Sequence, residues 1–287
     1  MRLVLRALHV RRWLTATLAA GAVLLAGCSA ATAPPPAPPT ATVGGGSPAA
    51  RPTVVSLTFD DGSAGQYLVR PILLDHGLRA TFFVNSGTLD RADGSTMTWD
   101  QIRGLAADGN DIGGHTRTHA TLPELTVADR VREVCDDRAR IESQGMRPVS
   151  FAYPTAAVDP RIEAIVRSCG YLSGRSVGNV AYEGQVHAEP LPPRDPYATD
   201  ALGPPVRGPL DGAYLQGAVE ATAASGGGWL QIVLHRVCRP SSADYASCMA
   251  SEGPIDIGVF SDFVDWLTHR APPGTVVAPV NEVIARD

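Results

Sequence analysis

A chain of 287 residues with 44% apolar and 18% charged side chains is long enough for one large α/β domain or two small ones. All 24 basic residues are arginine, set against 29 acids, and the net charge of −5 argues against the basic face that a nucleic-acid binder needs. Four of the arginines (Arg2, Arg6, Arg11 and Arg12) lie in a leader without acids, so the remainder carries 20 Arg against 29 acids, or −9.

The leader is residues 1–27. Its arginines precede an apolar run, Leu14 to Leu25, too short to span a bilayer comfortably. It ends in Leu25-Ala26-Gly27-Cys28, which resembles the bacterial lipobox and marks Cys28 as the lipidation site. Residues 28–50, with Pro34-Pro35-Pro36 and Gly44-Gly45-Gly46, cannot bury a core and read as a tether. The expectation is an exported protein on the outer face of the cell membrane, held by a lipid anchor.

From residue 51 short apolar strands alternate with amphipathic segments. Strands are expected at Val54–Phe59, Ala80–Asn85, Ser150–Tyr153, Tyr171–Gly174, Trp229–Leu234 and near Val276-Val277, with a short run at Asp111-Ile112. Helices are expected at Tyr67–His76, Trp99–Ala107, Val127–Ser143, Pro160–Ser168, Leu215–Ala224 and Phe260–His269, with a short helix last. Residues 178–210, rich in Pro and Gly, read as long loops. This order predicts one α/β domain over 51–287, a parallel sheet or barrel. With Cys28 assigned to lipid, Cys135, Cys169, Cys238 and Cys248 form an even set in an oxidising compartment, which favours disulfides over a zinc cluster. Of the three possible pairings, Cys238–Cys248 closes a short loop and Cys135–Cys169 then ties two helical segments.

Three short elements carry chemistry. Asp60-Asp61-Gly62 follows the first strand directly, although Asp-Gly is also a strong turn signal. His115 and His119 are four apart, so a helical backbone would put both imidazoles on one face, and Gly113-Gly114 before them would permit close approach to an ion. His235 ends the apolar strand 229–234, while His76, His187 and His269 have no such setting and read as surface or structural. One carboxylate and two histidines make a three-ligand set for a catalytic divalent metal, with a second carboxylate as base and a further histidine as acid.

Together, Thr58-Phe59-Asp60-Asp61-Gly62, His115-Thr-Arg-Thr-His119 and Leu234-His235 resemble the motifs of the NodB-type polysaccharide deacetylases, carbohydrate esterase family 4. The resemblance covers about residues 51–287. It implies a distorted (β/α) barrel of about seven strands, with Asp60 as general base, Asp61, His115 and His119 as metal ligands, and His235 as general acid. Phe151-Ala152-Tyr153-Pro154-Thr155 is similar to the family's third motif, which makes Tyr153, Pro154 and Thr155 a groove wall, with the Thr155 N–H as an oxyanion donor. Ala152 stands where many members have an arginine, and Thr155 where an aromatic is common. The Asp-Trp pair of the family is not evident, and Asp195 is the candidate for its acid. The implied activity is removal of acetyl groups from an N-acetylated glycan, peptidoglycan or chitin-like, by a monomer using zinc, or alternatively cobalt or manganese. The alternatives are a polysaccharide O-acetyl esterase and a non-catalytic glycan-binding lipoprotein.

Overall fold

The computed structural model describes residues 51–178, 180, 188–205 and 208–285, all within one compact unit, Ser47–Asp287. The leader, the tether, Cys28 and His187 lie outside the described residues. The first strand, β1 (Thr53–Phe59), is buried along its whole length, as a β-branched strand covered on both faces of a parallel sheet should be. A 3₁₀ turn, Ala64–Val69, leads into α1 (Arg70–Asp75), and the chain continues through β2 (Thr81–Val84), α2 (Trp99–Ala107) and β3 (Asp111–Gly114). Thr98 starts α2 with a capping box closed by Gln101.

The expected helix 127–143 forms, but not uniformly. It consists of α3 (Val127–Val131), a π-helical stretch Arg132–Asp136 and α4 (Asp137–Ser143). Next come β4 (Ser150–Ala152), α5 (Pro160–Ser168) and β5 (Ser173–Arg175), followed by α6 (Gly212–Ala224) and β6 (Gly228–Leu234). A small excursion, β7 (Val237–Cys238), α7 (Tyr245–Met249) and β8 (Ile255–Asp256), precedes α8 (Ile257–His269), β9 (Thr275–Val277) and α9 (Val280–Ile284). Residue patterning does not announce this excursion, because its strands are two residues long.

Among the described residues the main sheet has seven strands, all parallel, in the order β5-β4-β3-β2-β1-β6, with β9 beside the start of β1. The architecture is the expected α/β distorted barrel. Part of the region read as loop helps to close it. Ser176 N–H donates to the Thr199 carbonyl at 2.7 Å on the β5 edge, and Leu202 N–H donates to the Gln231 carbonyl at 2.8 Å on the β6 edge. Isolated bridges satisfy the backbone there without a regular strand, so alternation gives no signal. Phe59 and Phe82 stack at 4.9 Å in the core, and the Phe260 ring meets Phe59 edge-on at 5.7 Å. Disulfides join Cys135 to Cys169 and Cys238 to Cys248, as expected.

Candidate active site

Parallel register delivers the polar residues to one rim, since every strand of the sheet ends on the same side. Phe59 pairs with Leu234, Val84 with Gly114, Gly114 with Phe151 and Ala152 with Arg175. Asp60, His115, Tyr153 and His235 therefore each follow directly on a strand's end. The expected ligands lie close together. His115 Nε2 lies 3.5 Å from Asp61 Oδ1, and His119 Nε2 lies 3.4 Å from the same oxygen. Ligand atoms of Asp61, His115 and His119 all fall within 4.8 Å of one another.

The two histidines do not sit on a helix. They belong to a loop leaving β3, in which Thr116 and His119 adopt left-handed backbone with φ near 63°. The loop's backbone donors are received by the π-helical stretch. Arg117 N–H donates to the Glu133 carbonyl at 2.9 Å, and the Glu133 carboxylate accepts from Thr118 N–H and Oγ1–H at 2.9 and 3.0 Å. Gly113 and Gly114 also serve packing rather than approach to an ion. A Cβ on Gly113 would stand 2.5 Å from the Phe83 ring, and one on Gly114 would stand 2.0 Å from the Tyr171 hydroxyl.

Hydrogen bonds orient the His115 ring and backbone. Its Nδ1 lies 2.8 Å from the Ala152 carbonyl, which can only accept, so Nδ1 carries a proton and, in the neutral ring, Nε2 presents its lone pair toward Asp61. Its N–H is held by Val84 O at 3.1 Å and Asp137 Oδ2 at 3.2 Å. Burial works to raise the Asp61 pKa, but the adjacent His115, His235 and His119, in their protonated forms, outweigh it and bring the carboxyl down to about 2. Burial, aided by His115, lowers the His119 pKa, which favours its neutral, ligating form at pH 7. Asp137 is pushed up to about 7 by burial, against hydrogen bonds from Ser86 and His115. An imidazole pair with one carboxylate suits a borderline divalent ion, and Asp61 Oδ1 is buried without a hydrogen-bond partner.

Asp60 stands beside the triad, its Oδ2 4.0 Å from His115 Nε2. The same Oδ2 accepts from Arg175 Nη2, and both side chains are buried, at 4% and 1% exposure. Arg175 also lies over the Phe83 ring, 5.2 Å from its centroid. Residue spacing does not single out Arg175. The missing guanidinium at Ala152 is the available hint, because Arg175 is the register partner of Ala152 on the next strand. Asp60 thus receives its guanidinium from β5, the strand beside the one that carries Ala152.

Asp60, Asp61, His115, His119 and His235 line one cavity of about 590 Å³. Tyr153 and Thr155 form part of its wall, with Thr155 and Ala156 both at φ 57°. Pro154 is buried beneath this turn. Asp195 lines a separate cavity of about 380 Å³ with Glu189 and Arg194, so it does not partner His235. His76 and His269 pack against each other, 6.2 Å between ring centroids, and belong to neither cavity.

Residues 48–174 match the family model described as polysaccharide deacetylase. The chain is 34% identical over 128 residues to the chitin deacetylase of Colletotrichum lindemuthianum, covering 42% of this chain and 49% of that protein. It is 38% identical over 79 residues to the chitooligosaccharide deacetylase of Rhizobium leguminosarum bv. trifolii, covering 26% of this chain and 32% of that protein. The chain thus spans about half or less of the length of the curated relatives it matches. Its fold is similar to the Xyl-CE4 domain of a multidomain xylanase from the hindgut metagenome of Trinervitermes trinervoides, with a TM-score of 0.52 at 16% identity over 82% of this chain and 91% of that one. The solved chitin deacetylase of Colletotrichum lindemuthianum gives 0.50 at 19% identity over 81% and 88%. Arg175 and His235 lie beyond the segment that the family model matches.

Proposed function

We propose that the protein is a metal-dependent hydrolase that removes acetyl groups from an N-acetylated glycan, of the peptidoglycan or chitin type. The observation that carries this reading is the convergence of Asp61, His115 and His119 within 4.8 Å, with Asp60 and His235 on the walls of the same cavity. Similarity to a chitin deacetylase and a chitooligosaccharide deacetylase supports an amide of an amino sugar as the substrate class. Asp61, His115 and His119 would hold the ion; the donor set favours zinc, with cobalt and manganese as alternatives. Such an ion supplies Lewis acidity toward the acetyl carbonyl and makes water a better nucleophile at neutral pH.

The remaining steps fall to this chain's own groups. Asp60 is the base: Arg175 fixes Oδ2, while Oδ1 is buried without a partner and is free to take the proton of the attacking water. The Thr155 N–H is the oxyanion donor, presented by a turn whose left-handed backbone is fixed by the Tyr153 carbonyl accepting from Ala156 N–H at 3.1 Å. His235 protonates the departing nitrogen, which cannot leave as an amide anion. Acetate and a free amine are the products.

The lipobox-like Leu25-Ala26-Gly27-Cys28 and the Pro/Gly-rich stretch to residue 50 support export and a lipid anchor at Cys28, with residues 51–287 acting as a monomer on cell-wall or extracellular polysaccharide. The test is acetate release from peptidoglycan, chitin oligomers and acetylated xylan, before and after chelation and after reloading with zinc. Metal-dependent release from an N-acetylated glycan supports the proposal. Release confined to xylan would make the protein an O-acetyl esterase, and no release with any metal would leave glycan binding alone.

A further inference from the structure

The strand ends that carry Asp60 and His235 run together and then part. β1 and β6 stay in register from Thr53 against Gly228 to Phe59 against Leu234, and Asp60 N–H donates to the Leu234 carbonyl at 2.9 Å. Beyond that rung, no backbone hydrogen bond joins the two strand ends among the described residues. The chain after Leu234 turns through His235 toward β7, while the chain after Asp60 enters the turn at Asp61 and Gly62.

Gln66, in the 3₁₀ turn Ala64–Val69, spans the parting. Its Nε2 donates to the Asp60 carbonyl and, at 2.8 Å, to the His235 carbonyl, so both amide hydrogens are used. The two accepting carbonyls decide which end of the amide faces them, because the flipped side chain would set three oxygens together. Ser63 Oγ–H adds a longer bond of 3.3 Å to the His235 carbonyl. The turn itself has little freedom, since a Cβ on Gly65 would stand 2.2 Å from the Val237 carbonyl.

Gln66 is fully buried, yet its Oε1 has no hydrogen-bond partner. A buried acceptor left unsatisfied is a cost that an apolar side chain of the same size would avoid. The amide is therefore retained for its two N–H bonds and not for packing. We propose that Gln66 is a positioning residue that sets the placement of His235 relative to Asp60, an inference that rests on the reading of these two as acid and base. Asp60 and His235 work at opposite ends of one reaction, proton removal from water and proton delivery to the leaving group. Their relative placement matters most when the leaving group must be protonated to depart.

The experiment compares Gln66→Met, which keeps the length and loses both donors, with Gln66→Glu, which keeps the shape and reverses the polarity. Each is assayed on an N-acetylated chitin oligomer and on 4-nitrophenyl acetate, whose leaving group departs unprotonated. The histidine side-chain NMR spectrum of each is recorded as well. The expected result is a kcat loss of up to about a hundredfold on the acetamide, with KM nearly unchanged and a clearly smaller loss on the aryl ester. The His235 resonances should shift while those of His76 and His269 hold. Ser63→Ala, the milder change, should give the same pattern at smaller amplitude and serves if the Gln66 variants do not fold. Equal losses on both substrates, wild-type rates, or an unmoved His235 signal would overturn the proposal. Wild-type protein without acetate release would refute the functional reading instead, and the NMR comparison would still decide the placement of His235.

Discussion

Asp60 has a side chain 4% exposed, and a carboxylate so buried needs a counter-charge or protonation. Arg175 supplies the charge, and its own burial at 1% makes the two side chains mutually dependent. Arg175→Met should therefore cost about 3–5 kcal/mol of stability, the range for breaking a buried pair by removing one partner. Urea unfolding of the metal-free protein measures this. Arg175→Lys should recover only part of the loss, because a point charge cannot reproduce the planar contact with Phe83 and the directed bond to Oδ2. Asp60, Asp61, His115, His119 and His235 were legible in the sequence through the motifs they belong to, and Asp60 and His235 also because each follows an apolar strand. Arg175 and Gln66 were not: an arginine in a strand and a glutamine in a turn have bland explanations until register brings them to Asp60.

At the scale of elements, the loop carrying His115 and His119 depends on the stretch Val127–Ser143 more than on its own residues. The π-helical part turns Glu133 toward the Arg117 and Thr118 backbone, and the residue after it, Asp137, accepts from both Ser86 N–H and His115 N–H. The Cys135–Cys169 disulfide fastens this same stretch to the end of α5 across 34 residues, whereas Cys238–Cys248 closes only 10. On the loop-entropy account, removing the first should cost about 4 kcal/mol and the second about 3 kcal/mol. Paired Cys→Ser variants, each unfolded in urea, should show that order, and an inverted order would contradict the account. Helix positions were read well from periodicity, because α2 and α5 have clear caps at Thr98 and Asp159. Periodicity cannot report a π-helical stretch that preserves the apolar face, nor β7 and β8, which are two residues long.

Across the whole molecule, the rim opposite the active site holds a buried carboxyl. Asp111 accepts from Ser150 Oγ–H at 2.6 Å, Thr81 Oγ1–H at 3.3 Å and Asn281 N–H at 3.3 Å, joining α9 to the base of the barrel. Burial nonetheless pushes its pKa up to about 6 from 3.8. The folded state therefore binds this proton more tightly than the unfolded chain does. Its contribution to stability is complete below about pH 4 and is lost as pH rises through about 6, a difference on the order of 3 kcal/mol. Asp111→Asn should flatten the fall in stability between these pH values, as read from urea midpoints across the range; an unchanged slope would contradict the assignment. The fold class was legible from the alternation of strands and helices, while closure through residues 196–202 was not, because that segment pairs by isolated bridges in a Pro-rich sequence. The central claim divides Asp60 from Asp61, neighbours in sequence, into a base and a ligand. The most direct test is acetate release by Asp60→Asn, measured on protein whose zinc content is determined in the same sample. The account predicts zinc bound as in the wild type with acetate release down by at least about a hundredfold; wild-type turnover, or loss of the zinc, would contradict it.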